Sequence, residues 1–264
     1  MIRKPAVAGS FYPGSQKALT RELLRCTTKV ENRLPCIGAI APHAGYLYSG
    51  AIAGELFSKI AIPPVVVILA PNHRGPFVPF ALSPADKWST PLGEVEIDKP
   101  LAEAIARCDM VSPDAAPHAA EHSAEVQVPF LQLFRPGVRI VPIVIAEHRY
   151  DPLEQFGTCL ADCCRGTDTL IIASSDMTHF EPAAAARELD DLALAAVLAL
   201  DPLALHGTVA SNHISMCGVA PAVSMLTAAK LLGARHAEIV RYGNSGDVTG
   251  DDSSVVGYAS VRVF

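Results

Sequence analysis

Three segments of the sequence repeat one plan: a short apolar run, a turn, then a histidine. They read IGAIAPHAGY, which carries His43; VVVILAPNH, which carries His73; and TLIIASSDMTH, which carries Asp176 and His179. Apolar runs of this length, bounded by turn residues, read as fully buried strands. Strands apolar on both faces belong to parallel sheets covered by helices. In open α/β sheets, ligands bind outside the carboxyl ends of the strands. The repeated plan therefore brings residues far apart in sequence to one edge of a sheet. It places imidazoles there, a side chain that ligates metals and carries protons near neutral pH.

The rest of the chain supports this reading. Strand-like runs cover 36–41, 64–70, 138–145, 168–174, 237–242 and 254–263, and helical patterns cover 15–28, 49–60, 99–107, 121–134, 151–164, 184–200 and 218–232. Alternating strands and helices imply a largely parallel sheet with helices on both faces. The expected fold is α/β: a single three-layer α/β/α domain over residues 1–264, with a largely parallel, mixed sheet. The segment Val78–Ile97 holds Pro79, Pro84, Pro91 and Gly93 between short extended pieces and reads as a hairpin excursion near the sheet edge. The final run, SVVGYASVRVF, is expected to pair antiparallel with 237–242 through the loop GNSGDVTGDDS. With half of the residues apolar and 18% charged, such a chain builds a sizeable core without disulfides or structural metal.

The net charge of −6 and the lack of any basic run argue against nucleic-acid binding and against attraction to anionic membranes. LALAAVLALDPLAL, the most apolar stretch, is broken by Asp201 and Pro202, too short to span a bilayer, and reads as a buried helix. Pro5, Gly9 and Pro13 interrupt the first residues before a signal-peptide core can build. Seven cysteines, an odd number without an export signal, point to the cytoplasm with reduced thiols. Cys159, Cys163 and Cys164 follow no metal-binding spacing and read as small buried hydrophobes on a helix.

Four constellations carry chemistry. His43 and His73 follow strand-end prolines in the same context. Asp176 and His179 are three apart, so the aspartate is a candidate orienter of the histidine, a metal ligand, or a helix cap. Cys217, in ISMCGVAPAVSML, stands just ahead of a helix whose first turn suits Pro221, and a helix N-terminus favours thiolate, the form that ligates metal or attacks carbon. In EHSAEVQVPFLQLF, Glu121, His122 and Glu125 share a face if the segment is one helix, bent at Pro129. That face is either solvated or in contact with the histidines and substrate. Tyr46, Tyr48 and Trp88 are candidate aromatic walls of the pocket and Arg74 a candidate anion contact. His118, His148, His206, His213 and His236 lack comparable context. No HExxH, Walker loop, GxGxxG after a strand, or G-x-S-x-G elbow is present.

The motifs PAVAGSFYP, APHAGYLYSG, PNH, TPLGEVEID, EHSAEVQVPFLQ, SSDMTH, MCGVAP and SGDVTGDDSSVVGYAS, in order from residue 5 to residue 260, resemble the Memo family. The resemblance implies a fold similar to class III extradiol dioxygenases, non-haem iron enzymes in which two histidines and a carboxylate hold Fe(II) and another histidine is the acid/base. Carried over by motif, His43 and His73 are the imidazole ligands, Cys217 falls at the carboxylate position, and His179 falls at the acid/base position with Asp176 beside it. Fe(II) is the first expectation for the cofactor, with copper or zinc as alternatives. The family also implies an unknown small molecule or peptide as ligand, after an animal relative that acts as a phosphopeptide adaptor. AMMECR-type and radical SAM proteins are implied as partners, from the prokaryotic AmmeMemoRadiSam arrangement, whose Memo component this chain resembles. Thiolate in place of carboxylate shifts preference toward Cu(I) or Zn and introduces an oxidisable ligand, so extradiol cleavage does not follow from the fold.

Three readings follow: a metal-dependent oxidoreductase, a non-catalytic binding module using the same pocket, and a metal-free hydrolase or transferase with Cys217 as nucleophile and His179 as base.

Overall fold

The apolar runs become the middle of one sheet. The computed structural model describes residues 1–264. Its strands are β1 (Ile2–Arg3), β2 (Gly38–Ala41), β3 (Val65–Pro71), β4 (Phe80–Leu82), β5 (Lys87–Thr90) and β6 (Gly93–Ile97) in the first part of the chain. They continue with β7 (Val111–Pro113), β8 (Arg139–Ile145), β9 (Thr169–Ser174), β10 (His179–Glu181), β11 (Ala237–Asn244) and β12 (Val255–Val263). The helices are α1 (Gln16–Cys26), α2 (Tyr46–Lys59), α3 (Lys99–Ile105), α4 (Ala116–Ala119) and α5 (Val128–Phe134). After them come α6 (Tyr150–Cys164), α7 (Ala183–Leu198), α8 (Pro202–Ser211), α9 (Val219–Leu231) and α10 (Gly246–Thr249).

The strand order is β1-β5-β6-β8-β3-β9-β2-β12-β10, with β11 on β12 and β4 bridging β7 and β8. The contiguous block β6-β8-β3-β9-β2 is parallel. Every residue of β2 and β3 is buried, and only Arg139 of β8 and Thr169 of β9 are not. Their Val and Ile content suits a pleated surface covered on both sides. Antiparallel strands finish the sheet: β12 pairs with β2 and with β11, and β5 with β6. The expected hairpin and the expected antiparallel C-terminal pair are therefore both present. The helices include two mutually packed groups, α1 with α2 and α5, and α6 with α3, α8 and α9, with α7 packed on α8. One core cluster of 71 buried residues runs through the whole, so the molecule is a single α/β domain.

Three features differ from the sequence expectation. The apolar stretch around residue 200 is two helices: α7 ends at Leu198, and Asp201 accepts from Ala204 N to cap α8, with Pro202 in its first turn. The segment 121–134 is not one helix. Residues 121–124 form a turn, 125–127 a short 3₁₀ helix, and α5 opens with Pro129 in its first turn instead of bending around it. The thiols are not all reduced, since Cys108 and Cys159 form a disulfide. Packing of α3 against α6 brings their Cα atoms to 6.3 Å, inside the range a disulfide spans. The 51-residue separation makes this a staple worth about 4 kcal/mol in the chain-entropy account.

Candidate metal centre

The repeated plan in the sequence becomes a repeated offset in space. β2 ends at Ala41, β3 at Pro71 and β9 at Ser174, and in each case the site residue comes two positions later: His43, His73, Asp176. In the sheet β9 lies between the other two, with Ala41 beside Ser174 and Leu69 beside Ala173. The two imidazoles lean together across its end, ring centroids 5.2 Å apart. Cys217 reaches them from the loop ahead of α9. Gly218 makes this possible, because a Cβ there would lie 2.3 Å from the Ser174 carbonyl oxygen and 2.4 Å from Ser175 Cβ. The close approach lets Gly218 N donate to Ser175 Oγ at 3.0 Å and sets Cys217 Sγ 3.2 Å from His43 Nε2. One donor atom from each of His43, His73 and Cys217 lies within 4.8 Å of the other two.

The surrounding hydrogen bonds fix which nitrogen of each ring faces the cysteine. Ser174 Oγ donates to the Ser123 carbonyl at 2.7 Å and accepts from Gln127 Nε2 at 2.9 Å. With its single proton committed, it can only accept from His43 Nδ1, 3.0 Å away. The Nδ1 of His43 therefore carries the proton and Nε2 carries the lone pair. Glu121 does the same for His73: one carboxylate oxygen accepts from Nδ1 at 3.0 Å and the other from the His73 backbone N–H at 2.7 Å. Glu121 is buried and also accepts from Ser123 N and Ser123 Oγ. Burial raises its carboxyl, but the His73 and Ser123 hydrogen bonds outweigh that and hold it well below the usual carboxylate range. Both rings thus offer Nε2 to one point, each oriented by a partner behind it, the arrangement found behind metal-ligating histidines.

Burial, reinforced by the neighbouring His73 and His122, pushes the His43 imidazole down, so it is neutral at pH 7. Burial pushes the Cys217 thiol up, and Asp176 adds to the effect. The helix N-terminus does not overcome these, so in the metal-free protein the thiol is protonated. The donor set fits a metal ion: two imidazole nitrogens and one thiol whose proton a cation displaces. Metal uptake at neutral pH is expected to release about one proton per site, measured by calorimetry in buffers of different ionisation enthalpy. Uptake without proton release contradicts thiolate ligation.

Asp176 is buried and accepts from His43 N at 2.7 Å, while its own N–H points to Cys217 Sγ at 3.3 Å. Burial pushes its carboxyl up, opposed by the His43 and Ala44 amides and by His179. It ties the His43 loop to the Cys217 loop and caps no helix. No hydrogen bond joins it to His179. The half-buried His179 donates from Nδ1 to the Ser215 carbonyl at 3.1 Å, leaving Nε2 as its lone-pair nitrogen, and its backbone N–H donates to Ser215 Oγ. The Cys217–His179 nucleophilic pair considered from sequence is likewise not made; the sulfur faces His43, with a thiol pushed up instead of activated.

The remaining candidates divide. His122 packs within the cluster, 4.8 Å from His73, 5.5 Å from His43 and 4.6 Å from Phe11 by ring centroids. Burial lowers it to about 4, so it too is neutral. Arg74 is exposed beside His122 and close enough to lower its affinity for a proton. Tyr48 is partly exposed in the first turn of α2. Three residues do not belong to the pocket wall. Glu125 shares no helical face with Glu121; it is buried and accepts from Arg3, Ala6 N, Val7 N and Tyr12 Oη. Tyr46 packs in the core between Tyr12 and Phe130 and donates to the Val126 carbonyl at 2.6 Å. Trp88 is buried on β5, donates to Ser83 Oγ, and lies under the Arg3 guanidinium.

Sequence reading missed Ser123, Gln127, Ser174 and Ser215, which orient the histidines. All four sit inside quoted segments, EHSAEVQ, SSDMTH and ISMCGVAPAVSML, where a hydroxyl or amide near a candidate ligand is the available signal.

A family model described as Memo-like protein matches residues 3–262. A MEMO1 family protein of Aquifex aeolicus is 42% identical over 259 residues, covering 97% of each chain. MEMO1 family protein MTH_45 of Methanothermobacter thermautotrophicus is 40% identical, covering 98% of this chain and 99% of its own. Among solved structures, the uncharacterised protein JW3007 of Escherichia coli K12 superposes with a TM-score of 0.56 over 86% of this chain and 99% of its own, at 14% identity. That likeness supports the α/β fold alone. With a match along nearly its whole length, and relatives about two-fifths identical from end to end, the chain belongs to the Memo family.

Proposed function

We propose that this protein is a metal-dependent oxidoreductase of dioxygenase-like type, with its metal on His43, His73 and Cys217. The observation that carries the reading is the convergence of three donor atoms within 4.8 Å, from three separate loops. Fe(II) is the proposed ion, with copper or zinc as alternatives given the soft thiolate, and when bound it supplies a redox-active Lewis acid with open positions. The chain's own residues do the rest. Ser174 and Glu121 hold the two rings in the ligating tautomer. His179, with Nδ1 committed to Ser215, moves a proton at Nε2. Asp176 keeps the His43 and Cys217 loops together, and His122 with Phe11 walls one side against water.

The test uses nitric oxide as a probe of open positions on protein loaded anaerobically with Fe(II). The Fe(II)–nitrosyl electron paramagnetic resonance signal is expected in the wild type and in His179→Gln, and is expected to be lost in His43→Ala. A metal-loaded wild type that gives no nitrosyl signal overturns the reading, because a closed site is a structural one. Once a substrate is found, His179→Gln is expected to lower turnover by about 10²–10⁴-fold with metal content unchanged.

A second reading, a non-catalytic module that holds a peptide or small molecule in the same pocket, draws on exposed apolar residues flanking the site: Phe77 after His73, Tyr48 after His43 and Phe180 after His179. Peptide affinity that survives His43→Ala favours it. No helix is long and apolar enough to cross a membrane. We assign the protein to the cytoplasm, with AMMECR-type and radical SAM proteins as proposed partners.

A further inference from the structure

On the helical layer formed by α3 and α6, apart from the metal centre, lies a second sulfur cluster. Cys108 follows α3, and Cys159 and Cys163 sit four residues apart on α6, so they share one face of that helix. Cys108 is disulfide-bonded to Cys159, and Cys163 is a free, partly exposed cysteine. The three Sγ atoms all lie within 4.8 Å of one another. A free thiol is therefore within about one atomic diameter of contact with both sulfurs of an existing disulfide. The other free cysteines, Cys26, Cys36, Cys164 and Cys217, belong to no such group.

We propose that Cys108, Cys159 and Cys163 form a thiol–disulfide exchange site in which the cross-link from α3 moves between two consecutive turns of α6. The step is attack of one thiolate on a disulfide sulfur. Cys163 gives its proton to solvent, and its sulfur attacks Cys108 Sγ. The Cys108–Cys163 bond forms, the Cys108–Cys159 bond breaks, and Cys159 leaves as a thiolate that takes up a proton. One disulfide replaces another, so no oxidant or reductant is consumed. Attack on Cys159 instead would cross-link one turn of α6 to itself and free Cys108, releasing the staple. The directed exchange keeps α3 tied to α6 in both states while changing which α6 thiol is free to react with a small-molecule thiol or disulfide. Burial, then Asp162, raises the Cys163 thiol, with Arg107 only partly opposing, so it is a slow thiol, in keeping with equilibration and not rapid turnover.

The test maps disulfides in the full chain. Purified protein is equilibrated at alkaline pH with a reduced and oxidised glutathione mixture, quenched in acid, alkylated, digested and analysed by mass spectrometry. In the wild type, both the Cys108–Cys159 and Cys108–Cys163 linkages are expected, with Cys163 and Cys159 alkylated in complementary fractions. In Cys159→Ala the Cys108–Cys163 linkage is expected, in Cys163→Ala only Cys108–Cys159, and the cross-link is lost completely only when Cys159 and Cys163 are both replaced. Recovery of Cys108–Cys159 alone from equilibrated wild type overturns the proposal. So does recovery of a Cys159–Cys163 linkage, or Cys159→Ala protein with Cys108 and Cys163 both alkylated. The wild-type arm decides the matter if Cys159→Ala does not fold.

Discussion

Replacing Cys217 by alanine is expected to weaken metal binding by more than about 100-fold, beyond the loss typical for residues that only orient a ligand. The expectation rests on the sulfur's place in the cluster. Its Sγ is 3.2 Å from the lone-pair nitrogen of His43, and it is the one donor of the three able to become anionic. Without it, two imidazoles remain, and an imidazole ligand supplies no negative charge to offset a divalent cation. The fold is expected to survive, because alanine leaves the backbone contacts of Gly218 with Ser175 in place. Metal content after anaerobic Fe(II) loading, together with the thermal midpoint of the metal-free protein, separates the two effects. Unchanged metal content in Cys217→Ala removes the cysteine from the ligand set.

Replacing Glu125 by alanine is expected to act in the opposite manner, lowering stability by about 3–5 kcal/mol while leaving the donor set intact. Glu125 is buried and collects four donors: the Arg3 guanidinium, the backbone N–H groups of Ala6 and Val7, and Tyr12 Oη. Arg3 is itself buried and also donates to the His118 and Glu121 carbonyls while lying over Trp88. Truncating Glu125 leaves the buried Arg3 guanidinium and two amides without this acceptor, which is the costly way to break a buried ion pair. For a chain of this size the loss corresponds to a fall in thermal midpoint of roughly 10 °C. Chemical denaturation measures it. Near-wild-type stability with lost metal binding would instead return Glu125 to the site, where the sequence first put it. Glu121→Gln is the informative contrast: it removes the charged partner of His73 Nδ1 and is expected to cost about 10–100-fold in metal affinity.

These two glutamates mark where the sequence is readable and where it stops. The strands that carry His43, His73 and Asp176 are legible because parallel strands buried on both faces leave unbroken apolar runs, and the shared two-residue offset follows from the repeat. Four-residue spacing puts Glu121 and Glu125 on one helical face, which holds only in a continuous helix. The segment is a turn, then a 3₁₀ helix, then α5, and the two carboxylates bind different partners, Glu121 the His73 ring and Glu125 the Arg3 guanidinium. Pro129 carried the signal: proline belongs in a helix's first turn, not its interior. The same logic, with Asp201 and Pro202, marks the start of α8. The disulfide could not be read, since Cys108 and Cys159 meet only because α3 packs against α6. Trp88 and Tyr46 looked like pocket walls by proximity in sequence, yet each points its polar atom to a partner within the core. Family resemblance supplied Cys217 as the third partner, and the structure adds the reason it reaches the histidines, the missing Cβ of Gly218.

The central claim is that His43, His73 and Cys217 bind one metal ion together. X-ray absorption spectroscopy of the Fe(II)-loaded protein tests it most directly, because sulfur and nitrogen scatterers are distinguished at the metal. One sulfur and two imidazole nitrogens in the first coordination sphere, with the sulfur absent in Cys217→Ala, is the predicted result. A first sphere with no sulfur, or with a single imidazole, contradicts it.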